Sequence, residues 1–286
     1  MFGSRIRFCA GGIHPAPPIR LEDEESVPII TLLTDFGNQD GYVAAMKGVI
    51  LSRAPDVTLV DITHAIAPQA VLQAAYVLAQ AAPFFPTGAI HVAVVDPGVG
   101  SARRPLAIQT STAIFVGPDN GLFTDVLDSG AVTACVHLDR PRFWRDDPSS
   151  TFHGRDIFAP IAAHLAQQVS INILGTPIND PVRLLLPKPQ RQPDGTLTGA
   201  IIHVDHFGNL ISNIPAAWLS VARWQVHIGP ATIDGIQPSF AAAPVGALLA
   251  YRGSAGTLEV AVRNGSAAQA LGAEVGQTLA AEPHSH

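Results

Sequence analysis

Pro28-Ile29-Ile30-Thr31-Leu32-Leu33-Thr34-Asp35-Phe36-Gly37 is where the chain settles into repeating structure. Ile29 to Thr34 reads as a buried strand, because a short apolar and β-branched run between proline and glycine suits a position covered on both faces. Asp40 to Arg53 follows as a helix, with Val43, Met46, Lys47 and Ile50 at three- and four-residue intervals, Asp40 as its cap and Pro55 as its stop. Val57 to Ile62 is the second strand. Pro68 to Ala82 is the second helix, with proline in its first turn. Ile90 to Val95, Pro105 to Gln109 and Ala113 to Val116 are further strands, and Gly121 to Leu127 and Arg155 to Gln168 further helices. Alternation of this kind predicts an α/β domain built on a mainly parallel sheet with flanking helices.

The rhythm changes after Asn179. Pro181, Pro187, Pro189 and Pro193 favour an extended linker. Beyond it Leu197 to Val204, Gln225 to Ile228, Leu248 to Tyr251 and Leu258 to Val262 are short strands separated by Gly, Pro and Asn turns, which predicts a smaller antiparallel, β-barrel-like domain. The expected organisation is a flexible N-terminal extension over 1–27, an N-terminal α/β domain over 28–187 and a C-terminal β domain over 188–286.

Composition narrows the function. A net charge of -6 without a Lys/Arg run argues against a nucleic-acid partner. Cys9 and Cys135 are too far apart to suggest a disulfide framework or a thiolate metal site, which fits a reducing cytoplasm. No apolar stretch approaches the roughly 18 to 20 residues of a membrane span. The histidines do not fall at metal-ligand spacing, so no metal site is expected.

In open α/β sheets ligands bind at the carboxyl ends of strands, which directs attention to three loops. The first strand ends in Thr34-Asp35-Phe36-Gly37, the third in Asp96-Pro97-Gly98-Val99-Gly100-Ser101-Ala102-Arg103, the fifth in Gly117-Pro118-Asp119-Asn120-Gly121. Asp35 either accepts hydrogen bonds from a ribose diol or caps the helix that follows. Gly98 and Gly100 let the third loop fold Arg103 back onto Asp96, where the pair is either catalytic or a pin for the loop. Thr151-Phe152-His153-Gly154-Arg155-Asp156 places His153 in a loop feeding a helix. In the second domain Asp205-His206-Phe207-Gly208-Asn209 interrupts a strand pattern. Phe207 can stack on a base and Asn209 can pair with an adenine edge, or the segment is a β-bulge with a buried aromatic. No Walker loop, dinucleotide fingerprint or Gly-x-Ser-x-Gly turn is present.

Taken together, Thr34-Asp35-Phe36-Gly37, Val95-Asp96-Pro97-Gly98-Val99-Gly100, Pro118-Asp119-Asn120-Gly121-Leu122, Phe152-His153-Gly154-Arg155-Asp156 and Asp205-His206-Phe207-Gly208-Asn209-Leu210 resemble the S-adenosylmethionine hydroxide adenosyltransferase family, which is related to fluorinase and chlorinase. The match runs in order from Pro28 to about Leu279. The resemblance implies hydrolysis of S-adenosylmethionine to adenosine and methionine without a cofactor. It implies a water-activating triad of Asp96, Arg103 and His153, with Asp35 on the ribose. Asn209 and the backbone near Val262 then contact adenine, Asp205 and Ser254 hold the methionine portion, and Asn120 and Phe207 join them as substrate-binding candidates. It further implies a homotrimer with substrate held between one subunit's N-terminal domain and its neighbour's C-terminal domain. Fluorinase has tyrosine where Asp96 stands and serine where Gly154 stands, so water is the expected nucleophile. Ala255 replaces an arginine that some halogenases place near the methionine carboxylate. A halogenase and a non-catalytic adenosine or S-adenosylmethionine binding protein are the alternatives.

Overall fold

The computed structural model describes residues 27–219 and 223–284, so the expected extension over 1–27, with Cys9, lies outside the described residues apart from Val27. The N-terminal sheet has seven strands. They are β1 (Ile29–Thr34), β2 (Thr58–Thr63), β3 (Ala89–Val94), β4 (Pro105–Thr110), β5 (Ala113–Pro118), β6 (Val132–His137) and the short β7 (Thr176–Pro177). Their order is β2-β1-β3-β5-β4-β6-β7, parallel from β2 through β5 and antiparallel beyond it. The parallel strands place the loops after β1, β3 and β5 side by side at one sheet end.

Side-chain alternation divides the apolar residues between two layers. Ile30, Leu32, Ile90, Val92 and Val94 face helix α1 (Tyr42–Arg53), while Leu33, Ala93 and Val95 face α2 (Val71–Ala81) and α3 (Thr124–Asp128). On the first face α4 (Ala159–Ala166) packs beside α1; the short α5 (Ile171–Leu174) leads into β7.

Three local expectations need correction. Helix α1 begins at Tyr42 with Gly41 as its cap and no side-chain cap bond, so Asp40 is not the cap. Pro68 stands three residues ahead of α2, because Gln69 takes a left-handed conformation (φ 66°) and makes a turn where a first helical turn was expected. The helix expected over Gly121 to Leu127 is confined to Thr124–Asp128.

The C-terminal domain is a barrel-like sheet of β8 (Gln190–Arg191), β9 (Leu197–Val204), β10 (Leu210–Pro215), β11 (Arg223–Ile228), β12 (Ala231–Asp234), β13 (Ile236–Gln237), β14 (Leu248–Arg252), β15 (Thr257–Val262) and β16 (Thr278–His284). The order runs β12-β11-β16-β9-β10-β15-β14-β13, with β8 beside β9. Its two end strands are consecutive in the chain, so the sheet curls until they meet. Helix α6 (Ala267–Leu271) is capped by Ser266, whose hydroxyl accepts from the Gln269 amide. Among the described residues no helix is long and apolar enough to cross a membrane.

Candidate active site

The loop after β3 is wound tightly by its own backbone. Val99 N–H donates to Asp96 O, Ser101 N–H to Gly98 O and Arg103 N–H to Ser101 Oγ. Gly100 has φ 78°, and a Cβ there would lie 2.6 Å from Ser150 O, so only glycine lets this loop meet the 149–151 segment. The turn brings Arg103 back onto Asp96. Arg103 Nε donates to Asp96 Oδ1 at 3.0 Å and Nη2 to Oδ2, a bidentate pair whose side chains are 7% and 5% exposed. The guanidinium also lies over the Phe158 ring, 5.5 Å from its centroid.

His153 arrives from the other direction, at the mouth of a π-helical turn (Gly154–Phe158) that runs into α4. Single π turns of this type are often found at functional sites. Arg103 Nη2 donates to His153 Nδ1 at 2.9 Å. One guanidinium therefore holds the carboxylate and the imidazole together. Because a guanidinium only donates, Nδ1 is the acceptor and the imidazole proton sits on Nε2. Burial, and after it the Arg103 charge, push the His153 imidazolium below the ordinary histidine range, against the pull of Asp96 and Asp156. The neutral ring thus presents an N–H donor. Among the described residues the buried Arg103 Nη1 has no hydrogen-bond partner, which leaves two further donors in the same place.

The π turn is anchored by Asp156, which is fully buried. Its carboxylate accepts from Arg155 Nε and Nη2, Arg145 Nη1 and the Ser149 amide. Burial alone would raise this carboxyl, but those hydrogen bonds hold it at about 2. Phe152, beside His153, stacks edge-on with Phe36 (5.9 Å) and Tyr42 (5.3 Å), which ties the triad to the Asp35 loop. This aromatic cluster is not among the features expected from the sequence, although Phe36 and Phe152 lie in the Thr34-Asp35-Phe36-Gly37 and Phe152-His153-Gly154-Arg155-Asp156 motifs.

Asp35 does not cap α1. Its Oδ2 accepts the Gln69 amide at 2.8 Å, fastening the turn before α2. Asn120 is turned toward the fold: Nδ2 donates to Val95 O at 2.8 Å and Oδ1 accepts the Leu122 amide. It braces the backbone next to Asp96. Asp119 also serves the fold, accepting from Arg104 and from the Val182 amide.

Asp205 to Asn209 is the hairpin connection between β9 and β10. Asp205 Oδ1 accepts from the Phe207 and Asn209 amides and Oδ2 from Asn209 Nδ2, an Asx-type turn that orients the buried Asn209 amide. Phe207 projects from this turn 72% exposed, so it is not the buried aromatic of a bulge. Asp205 and Ser254 line a cavity of about 500 Å³ with Tyr76, His203 and Glu259. Tyr76 of α2 stacks on His203 of β9 there, 4.5 Å between centroids, joining the two domains. Val262 ends β15 and bridges Gly265. Among the described residues no hydrogen bond, ion pair or ring contact joins the 205–209 turn to Asp96, Arg103 or His153.

The arrangement offers a half-buried oxygen-binding corner with a carboxylate acceptor, an imidazole donor and a fixed cation. Comparison with known proteins bears on its chemistry. Residues 30–175 match the family model described as the SAM hydroxide adenosyltransferase N-terminal domain, and residues 199–280 match that of the C-terminal domain. The chain is 41% identical over 265 residues to the (R)-S-adenosyl-L-methionine hydrolase of Salinispora arenicola, covering 89% of this chain and 97% of that protein. It is 31% identical over 269 residues to the fluorinase of an Actinoplanes species, covering 82% and 90%. A crystal structure of an uncharacterized conserved protein from Thermotoga maritima superposes with a TM-score of 0.83 at 33% identity, covering 88% and 99%.

Proposed function

The chain belongs to the SAM hydroxide adenosyltransferase family, with both of its domains in order, and from that premise we propose that it hydrolyses S-adenosyl-L-methionine to adenosine and L-methionine by in-line attack of water on ribose C5′. The observation that carries this reading is the Arg103 bridge between Asp96 and His153. A water in this corner donates one hydrogen to Asp96 and accepts from His153 Nε2–H, which leaves its second lone pair for C5′. As the C–O bond forms, the C5′–S pair leaves with sulfur and the sulfonium becomes the neutral thioether of methionine. The attacking oxygen is then a protonated alcohol, a strong acid, so the hydrogen-bonded Asp96 carboxylate takes the proton without having to deprotonate water beforehand. Catalysis rests on orientation and on excluding competing water. The step consumes only water and requires no cofactor.

Asp35 holds the ribose diol with the carboxylate oxygen that Gln69 leaves free. Asn209 reads adenine beside Val262, and Asp205 and Ser254 face the methionine end. The exposed Phe207 and the separation of its turn from the triad support a homotrimer in which a neighbour's C-terminal domain closes the site. The two cysteines, too far apart in sequence to suggest a disulfide framework, support a cytoplasmic location. Incubation with S-adenosylmethionine in oxygen-18 water, with each sulfonium epimer, tests the reading: labelled adenosine plus methionine is expected, first for the (R) epimer named for the Salinispora relative. A 5′-halo-adenosine formed with added halide would make the protein a halogenase, and bound but unchanged substrate would make it a binding protein.

A further inference from the structure

We propose that His64 and Thr34 are positioning residues that hold the Asp35 loop in its substrate-binding shape through a directed chain of polar contacts ending in the surface pair Asp61–Lys47. This rests on the reading of Asp35 as the ribose ligand.

Each link has a defined direction. Phe36 N–H donates to Thr34 Oγ1 at 3.2 Å, and Thr34 Oγ1 lies 2.8 Å from His64 Nδ1. His64 Nε2 faces Asp61 Oδ1 at 3.0 Å, a close contact bent away from hydrogen-bond linearity. An ionised carboxylate cannot donate, so it places the imidazole proton on Nε2 and leaves Nδ1 as an acceptor. Thr34 must then donate its hydroxyl hydrogen to His64, and its lone pair is left for Phe36 N–H. Lys47 Nζ donates to Asp61 Oδ2 at 2.6 Å. Although partial burial works against it, the hydrogen bond from Lys47 and the close contact with His64 keep Asp61 below its usual carboxylate range, in the ionised form the chain requires.

His64 holds the loop a second time through its backbone, where His64 O accepts Gly37 N–H at 2.8 Å. Thr34 and Gly37 are thus secured directly to one buried histidine, only 5% exposed, and Phe36 is secured to it through Thr34. Gly37 has φ 67° and reverses the chain at this point. Nothing in packing requires a hydroxyl at position 34, which is fully buried, and valine has nearly its shape. A buried hydroxyl–imidazole pair, backed by a surface carboxylate and ending on the loop that carries a ligand, has the form of a positioning device.

The test compares Thr34→Val, Thr34→Ser and Asp61→Ala with the unaltered protein. Three readouts are taken: kcat and KM for S-adenosylmethionine hydrolysis, the Kd of the product adenosine, and hydrogen exchange at the Phe36 and Gly37 amides. Thr34→Val should raise KM and the adenosine Kd about 10-fold while kcat changes less than about 3-fold, because ribose binding is shared by ground and transition states. Protection at Phe36 should fall with it. Thr34→Ser should restore both. Asp61→Ala, at the surface and not a threat to folding, should give a smaller rise of about 3-fold with the same exchange signature. A Thr34→Val or Asp61→Ala protein that binds adenosine as tightly as the unaltered chain, with unchanged exchange at Phe36, overturns the proposal. Absence of hydrolysis by the unaltered protein defeats the proposed function instead, and adenosine binding and exchange still decide the role of the chain of bonds.

Discussion

Arg103 Nη2 donates to His153 Nδ1 at 2.9 Å while the same nitrogen holds Asp96 Oδ2, so the only lone pair of the neutral imidazole is already in use. That relationship separates the roles of two residues which sequence alone leaves interchangeable. In the proposed reaction His153 acts through its Nε2–H as a donor, and Asp96 is the acceptor for the proton.

If His153 is a donor, glutamine should replace it better than alanine, because its terminal amide can put an N–H near the Nε2 position. His153→Gln is expected to keep roughly 10-fold more kcat than His153→Ala, and Asp96→Asn to lose about 10² to 10⁴ in kcat with a smaller change in KM. Steady-state kinetics on the three variants would decide. Equal loss in His153→Gln and His153→Ala would speak against the donor role.

The pH profile has a sign that follows from the same bond. Protonation of His153 puts a hydrogen on Nδ1 and sets it against Arg103, so kcat should fall on the acid side, through a value below the ordinary histidine range, and not on the alkaline side. A kcat profile measured from acid to mildly alkaline pH checks this. An alkaline limb abolished by His153→Gln would be the contrary result.

Much of this was legible in the chain and some was not, for identifiable reasons. The parallel strands could be read from β-branched runs, and the Asp96–Arg103 pair from two glycines within one loop. His153 and Arg103 are separated by 50 residues, so their bond, and the tautomer it sets, depend on folding. Sequence proximity offers Asp35 as a cap for the nearest helix, whereas its partner Gln69 is 34 residues away. Pro68 resembles a helix start because the left-handed Gln69 has no sequence signature of its own. Strand β16 has no sequence signature, since Thr278-Leu279-Ala280-Ala281-Glu282-Pro283-His284 is poor in β-branched residues, yet β11 and β9 pair with it on either side.

Two glycine positions, one beside the site and one at the sheet edge, should respond according to what surrounds them. A Cβ at Gly154 would lie 3.2 Å from Met46 Sδ, 3.4 Å from Phe152 Cε2 and 3.5 Å from Phe36 Cε2, contacts that flexible side chains can relieve. A Cβ at Gly175 would lie 2.0 Å from His137 O, which is backbone. Gly154→Ala is therefore expected to cost about 1 kcal/mol or less and Gly175→Ala about 3 kcal/mol or more, by denaturant unfolding.

Acid should weaken the fold in two separate windows. His91 is fully buried, with Nδ1 2.8 Å from Thr31 Oγ1 and its ring stacked on Phe115, and burial pushes its pKa down to about 4. Below about 6.5 the unfolded chain takes up a proton that the folded chain refuses, so stability falls until about pH 4, by on the order of 3 kcal/mol. Asp156 acts lower. Its carboxyl is held at about 2, so the stability it contributes is complete above about 4 and is lost as pH falls through about 2. His153, His164 and His203 are also held below the ordinary range and add to the first window with the same sign. The decisive measurement is thus a difference between two proteins. The double substitution Thr31→Val with His91→Phe removes both partners of the buried bond and the titrating group together. Urea unfolding at intervals from pH 7 to pH 4 should show a flatter decline for that variant than for the unaltered chain. Parallel declines would mean that His91 is free to protonate in the folded state.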